Sequence, residues 1–263
     1  MRVAFPSFPA NTPAGGLENR GQATGRPPWA TGIAHVDTAL GGGFAHGRIH
    51  EFYAAEPDDV AAAAGFVATL AIGTTGNARP VVWLRPRQAV RAGGVMQGAG
   101  WAELGGAPET CLFVLGEDTK SLLRAGVDAL RSGGFGVVVI EGWGAMRELD
   151  LTASRRLSLA AERSGTLLLL LRTGAEPAPS AAETRWSVAS APSQALAANA
   201  PGAPTFDIEL LRRKSGLSGL RWRLEWNRDQ CTFRDAAVSG AVVPVPLRRP
   251  AADAGAGPLR RAG

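Results

Sequence analysis

Short apolar runs alternate with helical patterns through the middle of the chain. Runs with the length and composition of buried strands lie at 48–53, 81–84, 112–115, 137–141 and 166–171. Several are apolar at every position, which is typical of parallel strands covered on both faces. Helical periodicity over 58–72, 119–132 and 151–164 fills the intervals. The alternation predicts an α/β fold with a mainly parallel sheet and helices on both faces.

The last part of this region has a different pattern. Residues 206–211 and 220–226 each alternate apolar and polar positions, and the turn between them is rich in Ser and Gly. This pattern predicts a C-terminal antiparallel hairpin at the edge of the sheet. A further strand is predicted over 186–189.

The two ends of the chain lack any helical or strand period. Residues 1–30 are rich in Pro and Gly and predict a flexible leader, and residues 236–263 predict a flexible basic tail. We therefore expect one domain, over residues 31–235.

Composition excludes several classes of protein. The chain has 263 residues and is 45% hydrophobic, which is enough for a sizeable core and argues against global disorder. No apolar run approaches the roughly 18 residues of a membrane helix, and the first residues lack the apolar core of a secretion signal. Two cysteines, Cys111 and Cys231, have no ligand-like spacing around them. A reduced, cytoplasmic protein is expected.

Positive charge is concentrated near the C-terminus. Residues 1–206 contain 17 basic and 17 acidic side chains, whereas residues 207–263 contain 11 basic and 6 acidic ones. Six of the basic residues lie in or near the predicted hairpin: Arg212, Arg213, Lys214, Arg221, Arg223 and Arg228. Strand alternation places Arg221 and Arg223 on one face and Trp222 and Trp226 on the other, where we expect the indoles to pack on the core. The basic face could contact DNA phosphates or a partner, or remain solvated.

The segment before the first predicted strand has a distinctive order of residues. It reads VDTALGGGFAHGRIHEFY from Val36 to Tyr53. This order resembles the start of the RecA-type ATPase core, and the resemblance extends over roughly residues 31–230. In that family the first strand runs into a phosphate-binding loop of pattern G-x-x-x-x-G-K-[ST].

The loop that follows here departs from that pattern at every diagnostic position. In the same register, Ala54 and Asp59 replace the two glycines, Val60 replaces the lysine and Ala61 replaces the Ser or Thr. Phosphate binding needs the lysine's charge, a hydroxyl for magnesium and glycine backbone around the anion.

Three carboxylates, Glu56, Asp58 and Asp59, stand in the loop instead. At about 5 Å and an effective dielectric of about 20, one charge pair is worth roughly 3 kcal/mol, so replacing attraction by repulsion opposes triphosphate binding. We expect these acids to cap the following helix themselves. The sequence thus predicts a degenerate loop, no catalytic residue, no cofactor and loss of ATPase activity.

Other candidate residues carry weaker signals. Glu141 ends an apolar strand that resembles the RecA-type strand whose terminal acid lies near magnesium, but a structural role is the more common one for such a residue. Arg172 stands where the RecA family has a glutamine that senses the terminal phosphate. His46 and His50 are four residues apart, but Gly47 intervenes and the segment enters a strand, so no metal site is predicted.

A narrower resemblance rests on strings spread along the chain. HEFYAAEPDDVAAAAGF, WLRPRQA, LDLTASRRLSLAAERSGT, LRTGAEPAPSAAETRW, FDIELLRR and WRLEWNRD are similar to the ImuA family of bacterial inducible mutagenesis proteins. The resemblance implies an accessory protein of damage-induced (SOS), error-prone translesion DNA synthesis and repair. The implied partners are ImuB, an inactive polymerase-like protein, and an error-prone replicative-type polymerase subunit. RecA and single-stranded DNA are further candidate partners, and no membrane is implied.

Two other functions stay open on the sequence. One is a DNA-stimulated ATPase with a non-standard nucleotide site. The other is a cell-division inhibitor similar to SulA, which rests on analogy of fold alone.

Overall fold

A sheet of nine strands organises the residues described by the computed structural model, which are 26–214 and 216–236. The strands are β1 (Ile49–Ala54), β2 (Val81–Pro86), β3 (Cys111–Gly116), β4 (Val137–Trp143), β5 (Leu167–Thr173), β6 (Thr184–Ser190), β7 (Thr205–Arg213), β8 (Leu220–Asn227) and β9 (Thr232–Asp235). The helices are α1 (Ala34–Leu40), α2 (Val60–Thr75), α3 (Arg87–Gly93), α4 (Gly98–Glu103), α5 (Thr119–Ser132) and α6 (Leu151–Ser164). Single 3-10 turns occupy Pro57–Asp59, Pro108–Thr110 and Ala197–Asn199.

The sheet is parallel on one side and antiparallel on the other. Its strand order is β3-β2-β4-β5-β1-β6-β7-β8-β9. The six strands from β3 to β6 are mutually parallel, and β7, β8 and β9 add on as antiparallel neighbours. The predicted fold class is therefore confirmed.

Apolar side chains fill both sides of the parallel strands. On one face, Phe52 and Leu169 pack with Phe66 of α2. On the other face, Ile140 and Leu168 pack with α5 and α6. Every residue of β5 is buried as a result, which explains why its sequence shows no alternation.

Helices α5 and α6 begin and end at the predicted residues. Asp118 caps α5 by accepting a hydrogen bond from the Ser121 backbone N–H at 2.7 Å, and Asp150 does the same for α6 through Ala153. Left-handed glycines end both helices, Gly133 after α5 and Gly165 after α6. No helix among the described residues is long and apolar enough to cross a membrane.

Four elements were not predicted, and one of them changes the position of the hairpin. They are α1, α3, α4 and β9, all with seven residues or fewer. Strand β9 pairs with β8 over Leu224–Asn227, so the β7–β8 hairpin is not the edge of the sheet. The prediction of an edge hairpin is wrong because four residues give too short a pattern for a strand to be seen in the sequence.

The predicted leader and tail fall mainly outside the described residues. Within the leader, however, Trp29 exchanges two backbone hydrogen bonds of 2.9 Å with Phe44. Gly43 makes this approach possible, since its φ is +120° and a Cβ there would lie 2.1 Å from the Trp29 carbonyl oxygen. Trp29 therefore belongs to the folded domain.

The residues that resemble the start of the RecA-type core build α1 and its exit. The Asp37 carboxylate accepts hydrogen bonds from the backbone N–H and the hydroxyl of Thr31, both at 2.8 Å. Thr31 also binds the far end of the domain, because its carbonyl accepts hydrogen bonds from the Thr232 hydroxyl at 2.8 Å and the Phe233 N–H at 3.0 Å.

Candidate functional site

A cleft of about 610 Å³ opens at the carboxyl end of the parallel strands. It lies where β1, β4 and β5 end and where α2 begins, which is the place where α/β sheets commonly bind ligands. Five of the six residues assigned to the degenerate loop line it: Ala54, Glu56, Asp58, Val60 and Ala61. The loop that departs from the phosphate-binding pattern therefore lies at this cleft.

Two backbone N–H groups of this loop donate hydrogen bonds to carbonyls of the protein. The Ala55 N–H binds the Val188 carbonyl at 2.8 Å, and the Asp59 N–H binds the Glu56 carbonyl at 3.0 Å. Pro57 has no N–H to give. A phosphate cradle needs several such groups aimed at one anion, and between Ala55 and Asp59 only two remain for that purpose.

The sixth loop residue, Asp59, turns away from the cleft. Its Oδ1 accepts hydrogen bonds from the backbone N–H and the hydroxyl of Ser190, at 2.8 and 2.9 Å, and the side chain is buried. This contact joins the start of α2 to the end of β6.

The predicted helix capping by the loop acids is wrong. Neither Glu56, which precedes the 3-10 turn, nor Asp59, which precedes α2, makes a side-chain capping bond. Ser190 offers Asp59 two donors at once, and Glu56 and Asp58 remain exposed at the lip of the cleft.

A buried ion pair forms the floor of the cleft. Glu141 accepts a hydrogen bond from Trp83 Nε1 at 2.8 Å and one from Arg85 Nη2 at 3.1 Å. Glu141 and Arg85 are 4% and 7% exposed, so both charges depend on each other rather than on water. Each carboxylate oxygen of Glu141 is thus engaged by the protein, which fits the structural role that the sequence favoured for it.

Arg172 does not line the cleft. Its neighbours Leu171 and Thr173 do, and strand alternation sends Arg172 to the opposite face of the sheet. There it is buried, with its guanidinium carbon 5.9 Å from the centroid of the Tyr53 ring. Burial raises the pKa of Tyr53.

A second buried ion pair lies on the same face as Arg172. Arg185 Nε donates to Glu51 Oε2 at 2.9 Å, and Glu51 is fully buried. The sequence analysis singled out neither residue, nor Arg85 at the floor of the cleft. The only available signal was a charged residue inside or just after an apolar strand.

The six basic hairpin residues divide into paired and unpaired groups. Arg221 binds Glu209 at 2.8 Å, Arg223 binds Asp207 through two bonds of 2.7 Å, and Arg228 binds Glu103 at 2.9 Å. The positive face of the hairpin is therefore largely neutralised by carboxylates.

The other three basic hairpin residues, Arg212, Arg213 and Lys214, have no carboxylate partner among the described residues. Arg213 Nη1 donates to the Ala39 carbonyl at 2.7 Å and so holds the end of α1. Arg212 is half-buried and Lys214 is exposed, and neither forms an ion pair within the described residues. The predicted packing of the indoles is confirmed: Trp226 is buried, and Trp222 lies 6.0 Å from the ring centroid of Trp186.

Two of the three histidines, His46 and His50, are buried. Both ring nitrogens of His50 are engaged, with the Thr184 hydroxyl at 2.7 Å and the Ala45 carbonyl at 3.1 Å. Burial lowers the pKa of His50 to about 4, and that of His46 also to about 4. No group of three or more metal-ligating side chains occurs among the residues that the structure describes.

Comparisons with known proteins give two kinds of likeness. No family model matches the chain. Two curated relatives, each called Protein ImuA and found in two strains of Caulobacter vibrioides, are 32% identical to the chain over 222 residues, which cover 79% of this chain and 81% of the relative. The crystal structure of the RadB recombinase superposes with a TM-score of 0.52 at 14% identity, over 80% of this chain and 100% of that one. The second likeness shows the fold alone.

The Asp59–Ser190 contact can be tested by comparing a variant of Asp59 with one of its exposed neighbour, Asp58. We expect Asp59→Ala to lower the free energy of unfolding by about 2 kcal/mol, because the Ser190 N–H and hydroxyl lose a charged acceptor. Asp58→Ala removes the same carboxylate from an exposed position and should change stability by no more than about 0.5 kcal/mol. Urea denaturation measures both, and equal losses in the two variants would contradict the assigned contact.

Proposed function

The chain belongs to the ImuA family, and from this membership we propose that it is a non-catalytic accessory protein of SOS-inducible, error-prone translesion DNA synthesis. It acts in the cytoplasm as a binding surface for the mutagenic polymerase machinery. Its partners are an ImuB-like inactive polymerase and an error-prone replicative-type polymerase subunit, with RecA and single-stranded DNA as further candidates. The RecA-like fold supplies a rigid frame for these contacts.

The non-catalytic part of the proposal rests on the cleft, which lacks the groups that bind a triphosphate and magnesium. Val60 and Ala61 offer neither the cation for a triphosphate nor the hydroxyl for magnesium. The Ala55 and Asp59 N–H groups bind protein carbonyls, and Glu56 and Asp58 place negative charge at the lip. At the floor of the cleft, Arg85 already neutralises the carboxylate of Glu141.

Nucleotide titration separates this proposal from a DNA-stimulated ATPase. We expect no saturable change in the fluorescence of a labelled ATP analogue up to about 1 mM nucleotide, with or without magnesium, which corresponds to binding weaker than about −4 kcal/mol. The double variant Glu56→Gln/Asp58→Asn should not gain binding, because removing repulsion restores neither the lysine nor the free backbone donors. Magnesium-dependent binding in the micromolar range would restore the ATPase interpretation.

The accessory role is tested in cells that lack the protein. We expect the deletion to lower the frequency of damage-induced mutation and to leave growth without damage unchanged. A plasmid copy should restore mutation, and so should Glu56→Gln/Asp58→Asn, since the loop does no chemistry. Filamentation on overexpression without damage, with no effect of the deletion on mutation frequency, would instead favour a division inhibitor.

Any direct contact with single-stranded DNA should use the hairpin residues that no carboxylate neutralises. For Arg212→Gln/Lys214→Gln, the slope of log K against log salt for an oligo-dT strand should become shallower by about 1.4, since each lost phosphate contact removes about 0.7. The matched control Arg221→Gln/Arg223→Gln removes the same net charge but should leave the slope unchanged, because those arginines bind Glu209 and Asp207. Equal slopes in both double variants would contradict this assignment.

A further inference from the structure

A second basic surface lies between the C-terminal halves of α5 and α6, on residues separate from those of the hairpin. Three arginines surround one leucine there, in a concavity of about 320 Å³. Its lining residues are Arg131, Arg156, Leu159, Ala160, Arg163 and Ser164. We call this surface the α5–α6 groove.

Helical spacing explains how the groove forms. Arg156, Leu159 and Arg163 follow one another at intervals of three and four residues, so they share one face of α6. Arg131 comes from the last turn of α5, which packs beside α6. Both helices run antiparallel to the strands, so their C-terminal ends lie at the amino edge of the parallel sheet, away from the cleft.

The three guanidinium groups have no acidic partner among the described residues. Most hairpin arginines are neutralised by carboxylates, but none of Arg131, Arg156 and Arg163 forms an ion pair there. The one acidic residue of α6, Glu162, binds Arg48 at 3.3 Å instead. The groove therefore keeps its positive charge.

Helix dipoles account for only part of this charge. Arg131 and Arg163 lie in the last turns of their helices, where a cation is favoured. The C-terminal end of each helix carries a partial charge of about −0.5. The two ends together therefore offset about one of the three positive charges, which leaves the groove with a charge of about +2. Arg156 lies about two turns before the end of α6, beyond the reach of the dipole.

The leucine at the centre selects between classes of ligand. Leu159 is 54% exposed, which is unusual for a large apolar side chain surrounded by arginines. A phosphodiester backbone gains little from an apolar centre, whereas a peptide can place an apolar side chain there and its carboxylates on the arginines.

We propose that the α5–α6 groove binds an acidic segment of a partner protein, with an apolar side chain of that segment packed on Leu159. The carboxylates flanking that side chain bind Arg131, Arg156 and Arg163. Because the groove shares no residue with the cleft or the hairpin, this inference does not depend on the loss of ATPase activity.

The probe is a short fluorescein-labelled peptide with leucines set among glutamates, titrated with the whole protein and followed by fluorescence anisotropy. We expect saturable binding, and Arg156→Glu should raise Kd by about tenfold or more, because one attraction becomes a repulsion. Arg91→Glu makes the same charge change at an exposed position near the end of α3, outside the groove, and should raise Kd by no more than about twofold. Thermal melting checks that both variants remain folded.

Two further measurements separate the proposed occupant from others. Leu159→Ser should weaken binding of the leucine-containing peptide but not of an all-glutamate peptide, whereas plain charge attraction would leave both unchanged. An oligo-dT strand tests the nucleic-acid alternative. The proposal is overturned if the wild-type protein does not bind the peptide, if Arg91→Glu and Arg156→Glu act equally, or if Arg156→Glu weakens only the oligonucleotide.

Discussion

Burial of the parallel strands on both faces is the constraint from which the other features follow. Along β1 and β4, each carboxylate is buried away from water and needs an opposite charge within the protein. Glu141 with Arg85 and Glu51 with Arg185 satisfy this requirement on opposite faces of the sheet. Removing one member of such a pair leaves a buried charge without compensation, so these pairs fix the arrangement of the strands that carry them.

The sequence was sufficient to predict the helices and strands whose pattern of apolar and polar residues is local and repeated. Strands β4 and β5 are apolar runs, and α5 and α6 combine a clear helical period with capping residues and terminal glycines, so their positions could be predicted. Helices α1 and α4 and strand β9 have too few residues for a period, and contacts with distant parts of the chain hold them. The partners of Glu141 and Glu51 are 56 and 134 residues away, a distance over which no spacing rule operates.

The candidate site shows the same division between local and distant information. The missing lysine, hydroxyl and glycines are properties of eight consecutive residues, so the departure from the phosphate-loop pattern could be seen in the sequence. The interaction that Asp59 makes is not local, because Ser190 lies 131 residues further along the chain. A carboxylate just before a helix usually caps that helix. Here the Asp59 carboxylate binds the N–H and hydroxyl of Ser190 at the end of β6 instead.

The contact between Thr31 and the strand β9 joins residues 201 positions apart. During synthesis on the ribosome, Thr31 therefore lacks its partner in β9 until nearly the whole domain has been translated. Closing so long a loop contributes to a high contact order, which slows folding. The α/β units between them can form first, as the chain emerges, and the two extremities of the domain meet last.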